Sequence, residues 1–259
     1  VGELSLQVVL FLVASAFCAG WVDAVVGGGG LIQLPALLVG LPGASPAQIL
    51  ATNKLASICG TSTSAVTYYR RVRPDLRTAI PLAVAAFAGS SLGAVVATRI
   101  PKEAFNPIIL VALVVVGAYT VVKPSLGAST QLRFSGRHHL AAALVIGVVI
   151  GFYDGALGPG TGSFFVFALV GLTGYAFLEA SAKAKIANFA TNLAALVVFI
   201  PHGAVMWPIG VVMGLANIAG GYIGARTAVS RGTGFVRIVF IVVVGAFVVR
   251  IGGQLLGLW

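Results

Sequence analysis

Charge is what this sequence has least of. Only 8% of its 259 residues are Asp, Glu, Lys or Arg, and the acids number six. A soluble domain carries about 25%, so a water-facing surface over most of the chain is excluded. Cysteine is almost absent: Cys18 and Cys59 both lie in apolar runs, which excludes a disulfide framework or a cysteine metal site. The three histidines, His138, His139 and His202, stand at segment ends and read as interface residues rather than ligands. No metal and no cofactor is expected. The chain contains no Gly-Lys-Ser/Thr phosphate loop, no His-Glu-x-x-His, and no Ser or Cys with a His in the same span. Nucleotide-binding and intramembrane-hydrolase readings therefore find no support.

What fills the chain instead is apolar: 59% of residues are hydrophobic, and the mean hydropathy is +1.05. That is the signature of a multi-pass protein of the cell membrane. The net charge of +10 reads as the positive-inside bias of short loops and not as nucleic-acid binding. Ala14-Ser15-Ala16 resembles a signal-peptidase site, but no basic region precedes it and the apolar run continues past it. The segment reads as a first membrane helix.

The runs predict helices over 4–26, 46–69, 77–98, 103–122, 139–157, 177–200, 208–229 and 235–256, with shorter apolar segments at 30–41 and 162–172. Twelve helical residues reach only about 18 Å against a hydrocarbon core of about 30 Å. The short segments therefore read as half-length, discontinuous helices. Each follows a glycine break that closely trails an aspartate: Gly20-Trp21-Val22-Asp23 before Gly27-Gly28-Gly29-Gly30, and Gly151-Phe152-Tyr153-Asp154 before Gly158-Pro159-Gly160-Thr161-Gly162. The two stretches lie 131 residues apart. The same offset matches Lys54 to Lys185, Gly89 to Gly220 and Gly93 to Gly224. Asp and Lys are too scarce here for their matches to be chance, so the unit is duplicated.

Loop charge then sets direction. The loop with Arg70, Arg71, Arg73 and Arg77 corresponds to 201–208, which holds no Lys or Arg. One copy therefore faces the cytoplasm and the other faces out. The expected fold is an all-α polytopic membrane protein of two inverted-topology repeats, 1–122 and 139–259, joined by a cytoplasmic linker at 123–138. It has ten crossings with both termini outside, or eight if the short segments are re-entrant. Arg99 and Lys102 are the exception to the charge pattern.

Ionisable side chains inside membrane helices are expensive, at least about 2.5–3.5 kcal/mol at the centre. Asp23, Asp154, Lys54 and Lys185 stand out as four such residues in two matched sets. One reading makes them structural locks, Asp23 on Lys54 and Asp154 on Lys185, or residues snorkelling to the interface. The other makes them a polar site near mid-membrane. Lys54, Ser57, Thr61 and Ser64 share one helical face, as do Lys185, Asn188 and Asn192. The glycine breaks expose backbone N–H groups at the start of a short helix, an anion-binding arrangement. Trp21, Tyr153 and Gln33 are candidates to line the pocket; Trp207 and Trp259 read as interface anchors.

Asp followed by a glycine break, a short apolar helix and then Thr52-Asn53-Lys54, repeated in the second half, resembles the TauE/SafE family of sulfite and organosulfonate exporters. The resemblance covers nearly the whole chain. It implies transport of a small sulfur-containing anion such as sulfite, sulfoacetate or thiosulfate, coupled to an ion gradient. Lys54, Lys185 and N–H groups around Gly28, Gly29 and Gly30 and around Gly160, Thr161 and Gly162 would hold the anion. Asn53, Ser57, Thr61, Asn188 and Asn192 would bond its oxygens, and Asp23 and Asp154 would orient the lysines or carry a coupling proton. Pro159 replaces a glycine of the first half and Ala184 stands where Asn53 does, so the half-sites are expected to differ. The expected partners are the anion, the bilayer and protons, and not nucleic acid. A passive anion channel would use the same residues. The anion, the direction of flux and the oligomeric state are left open.

Overall fold

The computed structural model describes residues 5–97 and 127–255. Among these the regular structure is helical, with no strand. The predicted helix 103–122, Arg99, Lys102, Lys123 and Trp259 lie outside the described residues.

Helix α1 (Leu6–Val26) starts at Ser5, whose hydroxyl accepts from Val8 N–H, and stops at Gly27 in the left-handed conformation, φ 86°. Helix α2 (Gly30–Gly40) then turns back along α1. Gly40 faces Leu12, and Leu12 and Ala16 pack with Leu34 and Leu37. At eleven residues, α2 reaches about 16 Å, half the hydrocarbon core. The pair is thus a hairpin with one full arm and one half-length arm.

Helix α3 (Pro46–Val72) opens on a reciprocal cap, Ser45 with Gln48, and a proline in its first turn. Helix α4 (Leu76–Ala97) follows Asp75, which accepts from the Arg77 N–H and the Thr78 hydroxyl. Partial burial pushes the Asp75 carboxyl up, but those two bonds and the charge of Lys183 outweigh it and hold the group below its usual range.

The second half repeats the order with α5 (Gly136–Ala156), α6 (Thr161–Ala168, its last turn widening into a π-helix over Leu169–Thr173), α7 (Phe177–Phe199) and α8 (Trp207–Leu255). The starts of α2, α3 and α4 recur at the 131-residue offset in α6, α7 and α8. The sequence predicted two helices at the end, separated by a loop. The backbone instead breaks only at Gly232 (φ 74°, ψ −171°), with helix on both sides. Helix α5 also begins earlier than expected, taking in Gly136 to His138. Among the described residues, four helical stretches are long and apolar enough to cross a membrane, Leu6–Val26, Leu76–Val96, Gly136–Ala156 and Trp207–Val243. Helices α3 and α7 have the length but carry polar rows, and those rows are buried.

Packing is reciprocal. Gly89 and Gly93 of α4 bring the helix onto the Val148 and Phe152 carbonyls of α5. Their counterparts Gly220 and Gly224 of α8 approach the Phe17 and Trp21 carbonyls of α1 in the same way. Only a residue without a side chain permits this approach. Likewise α8 lies on α3, where Gly221 meets Gly60, and α4 lies on α7, where the Ser90 hydroxyl donates to the Thr191 carbonyl at 2.9 Å. Helices α3 and α7 therefore sit together at the centre, each braced by a helix from the other half.

The two hairpin tips meet at Gly27 and Gly162. A methyl on either would overlap the other's backbone. The Ser163 N–H donates to the Gly27 carbonyl at 3.0 Å, and the Ser163 hydroxyl donates to the Val26 carbonyl at 2.9 Å. Gly27→Ala adds left-handed strain to this overlap and should cost about 2–5 kcal/mol, read as a lower melting temperature in detergent. Gly43→Ala, with nothing near the added methyl, should leave the melting temperature unchanged.

Candidate functional site

The polar rows of α3 and α7 converge where the tips meet. Lys54 and Lys185 are 2% and 0% exposed. Each reaches a carboxylate of the other half. Lys54 Nζ lies 2.5 Å from Asp154 Oδ2, and Lys185 Nζ lies 2.9 Å from Asp23 Oδ2. Lys185 also donates to the Asp23 backbone carbonyl, and Asn188 Nδ2 approaches Asp23 Oδ1 at 3.5 Å. The alternative that paired Asp23 with Lys54 and Asp154 with Lys185 is overturned: the ion pairs are crossed. Because the tips interlock, each aspartate, about one turn before its own break, faces the opposite half's polar helix.

A small cavity sits between the pairs. Asp23, Asn53, Lys54, Ser57, Asp154, Asn188 and Asn192 line it, together with backbone at Gly27, Gly30, Gly158, Gly160, Thr161 and Gly162. Its volume is about 20 Å³, room for a single water. The first turns of α2 and α6 border it and, as helix N-termini, bring partial positive charge to it, although the N–H groups of Leu31, Ile32, Gln33, Ser163 and Phe164 already donate to the carbonyls of Gly27, Gly28, Gly29 and Gly160. The Asn53 amide completes the wall: its Oδ1 is buried with no hydrogen-bond partner. An amide turned end for end would present two N–H donors there instead.

The remaining candidates support the wall from behind or stand apart from it. Thr61 Oγ1 accepts from Asn192 Nδ2 at 3.5 Å. Gln33 donates to the Asn53 carbonyl at 3.2 Å and accepts from Asn217 Nδ2 at 2.7 Å. Tyr153 donates to the Pro159 carbonyl at 2.7 Å and meets Phe164 edge-on, bracing the second tip. Gly28 and Gly29 are outside the lining, Gly29 being pressed against α1 at Ala19 and Asp23. Trp21 is also outside it and packs where Gly224 crosses α1. Ser64 donates to the Gly60 and Gly221 carbonyls and belongs to the α3–α8 contact.

Three residues were missed by the sequence reading. Asn217 buttresses Gln33, and Ser163 caps the first tip. Lys183 is a further buried cation, 1% exposed, with its ammonium 4.1 Å from the centre of the Tyr175 ring. Its place inside the apolar segment 177–200 was the available signal. His139 also differs from a bare interface residue: it bonds the Tyr175 hydroxyl at 2.9 Å and lies 3.3 Å from Thr78 Oγ1.

Residues 12–251 match the sequence model of the family described as Sulfite exporter TauE/SafE. The chain belongs to the TauE/SafE family. Among its TauE/SafE-like relatives, a probable membrane transporter protein ORF9 from Sinorhizobium sp is 37% identical over 250 residues, 96% of this chain and 94% of that one. The probable membrane transporter protein YfcA of Escherichia coli K12 is 37% identical over 236 residues, 91% and 85% of the two chains. A probable membrane transporter protein of Haemophilus influenzae is 33% identical, covering 91% of each. No solved structure matches the chain. Family, relatives and apolar helices together make this TauE/SafE protein a multi-pass membrane transporter of the cell membrane.

The crossed pairing has a direct test. Removing one partner of a buried ion pair strands the other, at about 3–5 kcal/mol. Lys54→Met should therefore lower the melting temperature strongly. Adding Asp154→Asn should restore much of the loss, whereas adding Asp23→Asn should deepen it.

Proposed function

We propose that the protein is a secondary transporter of a small sulfur-containing oxyanion, of the sulfite, sulfoacetate or thiosulfate class, working by alternating access with compensating protons. The observation that carries this reading is the pair of buried lysines, each neutralised by a carboxylate of the opposite half, at the junction of two half-length helices. Two ammonium groups and two carboxylates sum to zero. An oxyanion entering between them competes with the carboxylates for the lysines. Each displaced carboxylate is then a buried charge without a partner, and it takes up a proton. A monoanion thus brings one proton and a dianion two, and the loaded site stays neutral.

The same exchange frees the halves to move. Each ion pair ties one half to the other, so replacing carboxylate by substrate loosens the clamp. The contracted cavity of about 20 Å³ favours this cycle over a standing pore. The family's description as a sulfite exporter supports the sulfur oxyanion. Loop charge supports halves that run in opposite directions, 1–122 and 139–259, with 123–138 inside.

Uptake of labelled sulfite or sulfoacetate into proteoliposomes tests the reading. An imposed pH gradient should drive accumulation. The pair-preserving Lys54→Met/Asp154→Asn variant, and its counterpart at Lys185 and Asp23, should each lose roughly 10–100-fold in transport, the worth of a charge-assisted hydrogen bond. Parent-like transport by both double variants would show that the anion binds elsewhere. Indifference to the pH gradient would remove the protons from the cycle, and single-channel currents in a bilayer would replace the transporter by a channel.

A further inference from the structure

A second cationic site lies away from the ion pairs. Toward the arginine-rich end of the bundle, α3 and α8 enclose a groove of about 440 Å³ into which Arg70, Arg71 and Arg226 converge, beside Thr63, Thr67 and Tyr222. Three guanidiniums in one groove repel one another. Among the described residues none of them has a carboxylate within 4 Å: the ion pairs found are those of Lys54 and Lys185. The α3 helix end accounts for Arg70 and Arg71, which lie in its last turn. It does not account for Arg226, which lies inside α8 before the Gly232 break. Arg226 is also aimed: Nη1 donates to the Tyr222 hydroxyl at 2.9 Å, and the guanidinium lies 5.4 Å from that ring's centre.

The groove's polarity is divided. Its serine and threonine hydroxyl hydrogens are already spent within α3, Ser62 and Thr63 on the Cys59 carbonyl and Thr67 on the Thr63 carbonyl. The guanidiniums and the Tyr222 O–H therefore supply the free donors, while the serine and threonine oxygens can still accept. An occupant with an anionic phosphate and hydroxyl donors satisfies both. The flank of the groove is apolar and open, with Val66 50%, Tyr222 45% and Ile223 46% exposed. That surface faces the hydrocarbon in a membrane-spanning bundle, where acyl chains would lie.

We infer that this groove binds the headgroup of an anionic phospholipid of the phosphatidylglycerol type, its phosphodiester on Arg70, Arg71 and Arg226 and its glycerol hydroxyls on the hydroxyl row of α3. Basic pockets between helices at a membrane surface hold anionic headgroups in this way. The lipid would staple α3, which carries Lys54, to α8, which carries Asn217.

Binding of phosphatidylglycerol to the protein in phosphatidylcholine nanodiscs tests this by native mass spectrometry and melting temperature. Each basic residue near an anionic lipid is worth about fivefold, so Arg70→Gln/Arg71→Gln/Arg226→Gln should weaken retention on the order of a hundredfold. The charge-matched Arg77→Gln/Arg133→Gln/Arg137→Gln should retain the lipid as the parent does. Tyr222→Phe keeps every charge but frees Arg226, and should weaken binding severalfold; it decides the matter alone if the triple variant does not fold. Equal losses in the two triple variants would reduce the effect to diffuse attraction and overturn the site. Stabilisation by soluble glycerol 3-phosphate in pure phosphatidylcholine, matching that by the lipid, would assign the groove to a free phosphate instead.

Discussion

An ammonium group inside a membrane bundle is expensive unless an opposite charge or a set of acceptors meets it closely. Lys54 and Lys185 meet theirs across the boundary between the two halves of the chain. Neither half alone satisfies its own lysine. The crossed pairs therefore act as a condition on assembly: both hairpin tips must reach the centre, in register, before either cation is neutralised. Removing a buried charge's partner costs several kcal/mol, so a slipped tip would be penalised at once.

The rest of the architecture serves that condition. Each tip joins a full-length arm, α1 or α5, to a half-length return arm, α2 or α6. The break brings the N-termini of both return arms to the cavity, where a polar helix from each half already stands. Close approach of α1 to α8 and of α4 to α5 needs small residues, and glycine supplies them at matched positions in both halves. Charge, helix length and packing thus converge on one small volume.

Much of this was legible in the residues. The aspartates and lysines announced themselves by rarity and by a shared offset, and most helix boundaries fell within a few residues of where hydropathy put them. What the offset could not give was the pairing. A duplication says which residues are equivalent and is silent on which touch; only the interlocking of Gly27 with Gly162 decides that Asp23 faces Lys185. Lys183 was passed over for a related reason. Its counterpart is Thr52, so it carries no echo, and its contact with Tyr175 comes from a loop the pattern does not mark. The gathering of Arg70, Arg71 and Arg226 was equally hidden, because two helical stretches far apart in sequence meet only once α3 lies along α8.

The departures from the duplication are as informative as its matches. The first return arm is held by directional bonds, Gln33 linking Asn53 to Asn217. The second has Phe164 in place of Gln33, stacked edge-on against Tyr153. Ser163 caps the first tip through its N–H and hydroxyl, while its counterpart Ile32 has no side chain able to return the favour. The first return arm is therefore tied outward to α3 and α8, whereas the second tip is closed on itself, by Tyr153 on the Pro159 carbonyl and Thr161 on the Gly158 carbonyl with Phe164 against the Tyr153 ring. Two halves built to one plan thus reach the same cavity under different constraints, which is how a duplicated unit can present two half-sites that are not interchangeable.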